Sequence, residues 1–77
     1  MLDIKDIIKL EDKKKYAIMS KTSIEDNIYY YLLDINDYTN YKFCLEKEDT
    51  LIEIVDPEIL SKLVKKFAKE LREKLHN

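Results

Sequence analysis

No position in this 77-residue chain is glycine, and that absence restricts both its turns and its chemistry. Glycine usually supplies the left-handed backbone of tight turns because it has no Cβ to clash. Without it those positions fall to Asn and Asp, which tolerate the region best among the remaining residues. Asp26-Asn27, Asn36-Asp37, Asn40 and Asp49 are the positions expected to serve. The same absence excludes a Gly-rich phosphate loop, a dinucleotide fingerprint and an EF-hand, each of which needs Gly at fixed places, and no cofactor is expected. A single Cys and a single His cannot build a four-ligand Cys/His zinc site, so no metal is expected. A Ser-His-Asp triad would have only His76, the penultimate residue, as its base.

A chain this short buries only roughly 60% of its unfolded surface. With Cys44 alone there is no internal disulfide to compensate, so stability must come from efficient packing or from oligomerisation. The lack of a paired-cysteine framework fits a reducing compartment. No apolar run reaches the roughly 20 residues of a membrane helix, and the start lacks the charged and apolar regions of a signal peptide. The expectation is a soluble cytoplasmic protein without membrane contact.

Two regimes of patterning divide a single domain. Residues 6–55 hold short runs rich in Ile, Tyr, Phe and Thr between polar clusters, the pattern of strands. The strands are expected at Ile7–Leu10, Lys15–Thr22, Ile28–Ile35, Tyr41–Glu46 and Leu51–Val55, joined by connections of four or five residues. Tyr41, Phe43 and Leu45 alternate with Lys42, Cys44 and Glu46, a period of two. The second and third strands are apolar on both sides and belong in the middle of an antiparallel meander. Residues 2–5 fit a helical turn as well as a strand start.

Asp56-Pro57-Glu58 then opens a helix over 57–75, with Asp as N-cap, Pro at the first helical position and an acid in the first turn. Leu60, Leu63, Val64, Phe67, Leu71 and Leu75 recur at three and four residues, widened by Ile59 and Ala68. The fold class is therefore α+β: a five-stranded antiparallel meander packed on one C-terminal helix. A closed SH3-like barrel is favoured over an open curled sheet. The end of the helix, Leu71–Leu75, overhangs such a sheet and offers a homodimer contact.

Residues 1–56 hold 8 Lys against 13 Asp and Glu, while residues 57–77 hold 6 Lys and Arg against 3 Glu. The two parts either attract one another or offer a basic helix, through Lys65, Lys69 and Arg72, to an acidic partner. Tyr29-Tyr30-Tyr31 is the most unusual run. Alternation puts Tyr29 and Tyr31 on one face, where they serve the core, form a protein hot spot or stack on bases. The acidic surroundings of the sheet argue against nucleic acid, whose phosphates need basic density. Lys13-Lys14-Lys15 reads as a solvated turn, and Cys44 as inert packing. Glu46, Glu48 and Asp49, with Glu53 beyond, form an acidic turn that could imitate nucleic-acid charge.

Leu10-x-Asp12-x-Lys14-x-Tyr16, the Tyr29–Leu32 strand, Phe43-Cys44-x-Glu46 and Asp56-Pro57-Glu58-Ile59-Leu60 together resemble short uncharacterised proteins of low-GC Gram-positive bacteria and their phages and mobile elements. The resemblance covers residues 6–70 and implies a mobile-element setting, as does the use of 13 Lys to one Arg. It carries no activity with it. The sequence leads to a small non-enzymatic protein-interaction module, with Tyr29, Tyr31, Glu46, Glu48, Asp49, Lys65, Lys69 and Arg72 as candidate contacts. Two alternatives are an anti-defence, anti-CRISPR-like inhibitor acting by acidic mimicry, and a nucleic-acid-binding regulator using the tyrosines and the Lys-rich helix.

Overall fold

The computed structural model describes residues 2–75, with side chains to residue 73; the Leu75 side chain of the expected helix-end contact and the whole of His76 lie outside what is described. Five strands follow one another as β1 (Ile7–Lys9), β2 (Lys15–Ile24), β3 (Asn27–Asp34), β4 (Tyr41–Lys47) and β5 (Thr50–Glu53), and the helix α1 spans Pro57–Leu75. Each strand pairs antiparallel with the next, in the order β1-β2-β3-β4-β5. No pairing joins β1 to β5, so the sheet is a curled half-barrel and not a closed barrel.

Alternation along the strands builds two cores, one on each face. On the inner face Tyr16, Ile18, Tyr30, Leu32 and Cys44 are buried together, and Leu10 and Leu51 close in from the two edges. Leu2 joins them because residues 3–6 form a turn, with Lys5 N–H donating to the Ile18 carbonyl at 2.8 Å. That turn resolves the ambiguity of the first residues. On the outer face Tyr29 and Phe43 pack under Leu63 and Phe67 of α1. The helix begins as its sequence indicates: Glu58 N–H donates to Asp56 Oδ1 at 2.9 Å, satisfying one of the free donors of the first turn.

One residue passes β2 from one core to the other. Ile18 pairs with Leu32 and Ser20 with Tyr31, so Met19 is an extra residue with no partner, a β-bulge. Before it, the even-numbered Tyr16 and Ile18 face inward. After it, the even-numbered Ile24 faces the helix, and Thr22 donates its hydroxyl to Glu70 of α1 at 2.6 Å.

The turns are tighter than the sequence indicates. Glu25-Asp26 and Glu48-Asp49 are two-residue hairpin loops in which both residues have positive φ, between 50° and 68°. This is the I′ geometry whose twist suits hairpins. Asp26 and Asp49 are among the expected positions; Glu25, Glu48, Lys5 and Lys13 are not, and the connection over 36–40 uses no positive φ. There Asp37 caps the loop instead, accepting from Thr39 N–H and Thr39 Oγ1. A left-handed residue with a Cβ costs roughly 1–2 kcal/mol. Glu48→Asn with Asp49→Gly, the preferred I′ pair, should therefore stabilise the domain by about 1 kcal/mol after the entropy of Gly is deducted. The check is a higher urea midpoint at unchanged slope; an unmoved midpoint means that the turn carries no such cost.

Candidate functional site

The helix covers only half of the outer face. It crosses the sheet from the β5 side, where Leu60 and Ile54 pack against the cluster that holds Phe43, to the β2 side, where Glu70 meets Thr22. Beside it the same face continues as a row in register: Ile7 opposite Ala17, Ala17 opposite Leu33, and Leu33 opposite Tyr41. Paired residues share a face, so this row is the extension of the floor that bears Tyr31 and Phe43. Among the described residues no element lies over it.

Between this row and the flank of α1 runs an apolar groove in two sections. One, of about 310 Å³, is lined by Met19, Ser20, Tyr31, Phe67, Ala68 and Leu71. The other, of about 300 Å³, lies between Tyr41 and Phe43 on the sheet, Ile54 just after β5 and Leu60 and Val64 on the helix, and also has Lys42 and Glu53 in its lining. The aromatic rings join the two sections: Tyr31 stacks on Phe43 at 5.3 Å and meets Tyr41 edge-on at 6.0 Å, and Phe43 stacks on Phe67 at 5.7 Å. Such pairs fix ring positions beyond what area burial alone does. Met19, Tyr41, Val64 and Leu71 are between 47% and 59% exposed along the groove. Large apolar side chains gathered at one open cleft, and not scattered singly, are the usual mark of a contact surface.

Comparison with known proteins places no family here: no family model, curated protein or solved structure matches the chain. The site therefore stands on its own geometry.

The sequence candidates separate when placed on this surface. Tyr29 is 9% exposed beneath the helix and Tyr30 is fully buried in the inner core, so of the roles open to Tyr29 it takes the one in the core. Both faces of β3 are covered, and Tyr31, half-buried, reaches the groove. Lys65 and Arg72 follow Val64 and Leu71 by one residue, about 100° further round the helix, and form the upper lip of the groove. Lys69 is exposed on the far side of α1. Glu48 and Asp49 are exposed at the β4–β5 turn, about 20 Å along β4 from Tyr41. Glu46 is half-buried and accepts a hydrogen bond from the Tyr30 hydroxyl at 3.2 Å. Tyr31, Lys65 and Arg72 thus come together at the groove, while Tyr29, Lys69 and the acids lie elsewhere. Met19, Tyr41, Val64, Ala68 and Leu71 complete the groove. Of these, Val64, Ala68 and Leu71 were legible as the unusually wide side of the helical stripe; Tyr41 and Met19 had no such signal.

A second, smaller recess of about 130 Å³ opens at the mouth of the half-barrel between Leu10, Asp12, Lys42, Cys44 and Glu53. Three of its charged groups, Asp12, Lys42 and Glu53, have partners. Lys42 donates to Glu53 at 2.9 Å, which raises its pKa, and Asp12 accepts from Lys14 N–H and the Tyr16 hydroxyl, which lowers its own. Burial pushes the Cys44 thiol up to about 11, so it stays protonated near neutrality and makes a poor nucleophile or metal ligand. The buried Asp34 carboxylate accepts from Asn36 N–H at 2.8 Å and Asn40 Nδ2 at 3.1 Å, and Asn40 also donates to the Tyr16 hydroxyl. Among the described residues no buried side-chain nitrogen or oxygen lacks a partner, and no three Cys, His, Asp or Glu gather as a metal site. No helix is long and apolar enough to cross a membrane.

Proposed function

We propose that the chain is a non-enzymatic protein-interaction module that works through the groove between α1 and the uncovered half of the outer sheet face. The observation that carries this reading is the meeting of Met19, Tyr41, Val64 and Leu71, all exposed, around one continuous aromatic floor. Covering such side chains gains roughly 25 cal/mol per Å² of apolar area removed from water, and Tyr is among the residues that dominate interface energetics. In the recess at the barrel mouth Asp12, Lys42 and Glu53 are already hydrogen-bonded and the Cys44 thiol is buried, which favours the groove over the recess. A nucleic-acid regulator stacking bases on Tyr29 and Tyr31 loses Tyr29 to the core, with Tyr31 half-buried.

The experiment is selection of a random-peptide display library on the intact protein, with Ala68→Arg as the comparison. Ala68 is exposed on the groove wall, so an arginine there fills the cleft without entering the core. Unchanged helical circular dichroism and thermal midpoint establish that the variant folds. Peptides that bind the natural sequence at least about ten-fold better than the variant are the expected result, an affinity difference of about 1.4 kcal/mol. Failure to enrich any peptide sensitive to Ala68→Arg overturns the reading.

A further inference from the structure

We propose that the occupant of this groove is an acidic amphipathic helix of another protein; the proposal rests on the reading of the groove as an interaction site. The shape comes first. The wall is one flank of a helix, with Leu60, Val64, Ala68 and Leu71 recurring along it, about 16 Å from first to last. The floor is the broad face of a sheet and not its edge, so the backbone donors and acceptors that would template an added strand are already paired in the ladder. A second helix laid beside α1 at the usual interaxial distance of about 8–10 Å sits over Tyr31 and the row Ile7, Ala17, Leu33 and Tyr41. It completes the half-covered layer, reading the groove through residues spaced i, i+3, i+4 and i+7.

Charge then selects among helices. The lip on α1 carries Lys65 and Arg72. The opposite lip lies one pleat beyond the apolar row, where Lys9 pairs with Lys15 in the ladder, and alternation puts both on the face of Ile7 and Ala17. All four are exposed. The carboxylate at the β5 end of the groove, Glu53, is held by Lys42 at 2.9 Å. A basic rim on both sides of an apolar floor attracts a helix with acids flanking its apolar stripe, and repels a basic one. It also disfavours a second copy of this chain as the occupant. The exposed side of α1 carries Lys62, Lys65, Lys66, Lys69 and Arg72, and laying it between these lips sets like charges against each other.

The groove-dependent peptides from the display selection, each about 16 residues and so about four helical turns, decide the matter when resynthesised. The expected consensus has apolar residues at helical spacing with Asp and Glu between them, and the peptides gain helicity on binding. Lys65→Glu with Arg72→Glu is expected to weaken them by about ten-fold or more, and salt to weaken them on the natural protein. Amide shifts should concentrate at Met19, Tyr31, Tyr41, Ala68 and Leu71. Groove-dependent peptides that are basic, neutral or extended overturn the acidic helix and leave the groove standing as a binding site. Light scattering that shows a dimer, with loss of the dimer in Ala68→Arg, overturns it in favour of a second copy. Absence of any groove-dependent peptide overturns the underlying reading as well.

Discussion

Leu63→Ala should destabilise the protein by about 2–5 kcal/mol, the usual cost of removing a fully buried leucine. Leu63 has no exposed surface and stands among Tyr29, Phe43 and Phe67, where α1 meets the sheet. A single core of this size supplies roughly 3–5 kcal/mol in total, so the loss is comparable to the whole margin. At about 4–8 °C per kcal/mol for a domain of this length, the thermal midpoint should fall by about 10 °C or more. Leu71→Ala is the matched control. Leu71 lies on the same helix but is 59% exposed along the groove, and its loss should stay within about 1 kcal/mol. Thermal melts followed by far-ultraviolet circular dichroism compare the two. Equal midpoints for Leu63→Ala and Leu71→Ala would mean that the helix is not held through Leu63.

The effect should reach the inner core too. Tyr29 and Tyr30 are adjacent on β3 and face opposite cores, so freeing the outer face loosens the strand that supports the inner one. Near- and far-ultraviolet signals are then expected to fall together in Leu63→Ala. If the helical signal disappears while the tyrosine environment persists, the two cores are separate cooperative units.

What the sequence could and could not convey follows from which interactions are local. The helix begins where its cap indicates and buries the stripe its spacing marks because Asp56, Pro57 and the apolar residues act within a few residues of one another. The alternation of Tyr41–Glu46 likewise fixes two faces of β4 without reference to its neighbours. The tightness of the hairpins was not legible, because the twist of the flanking strands imposes left-handed geometry on Glu25 and Glu48 against their own preference. The exposure of the tyrosines was not legible either. Whether Tyr29 or Tyr41 meets water depends on how far α1 reaches across the face, a length in space and not a pattern in the chain. The groove inherits this division: Tyr31, Lys65 and Arg72 stood out as residues, but their common location required the helix to leave half of the face bare.

Deleting Met19 should abolish stable folding, although Met19 is itself 47% exposed and unpaired. Its role is to count. Side-chain direction in a strand has a period of two, so removing one residue reverses every side chain on one side of the deletion. If the first half of β2 turns over, Tyr16 and Ile18, both fully buried, move to the outer face and lose about 1.5–3 kcal/mol each. The Tyr16 hydroxyl also leaves Asp12 and Asn40. If the second half turns over instead, Ile24 leaves the helix core, the Thr22–Glu70 hydrogen bond breaks, and Lys21 takes a place beneath α1. Either route removes an amount similar to the total stability, and urea titration should show no cooperative transition or a midpoint far below that of the natural sequence. Met19→Thr keeps the count and introduces a β-branched side chain suited to a strand, and should stay within about 0.5 kcal/mol. A deletion protein as stable as Met19→Thr would show that the bulge does not hand β2 from one core to the other. The bulge also carries Met19 into the groove, so the residue that lets one strand serve two cores is the one that shapes the end of the cleft between the sheet and α1.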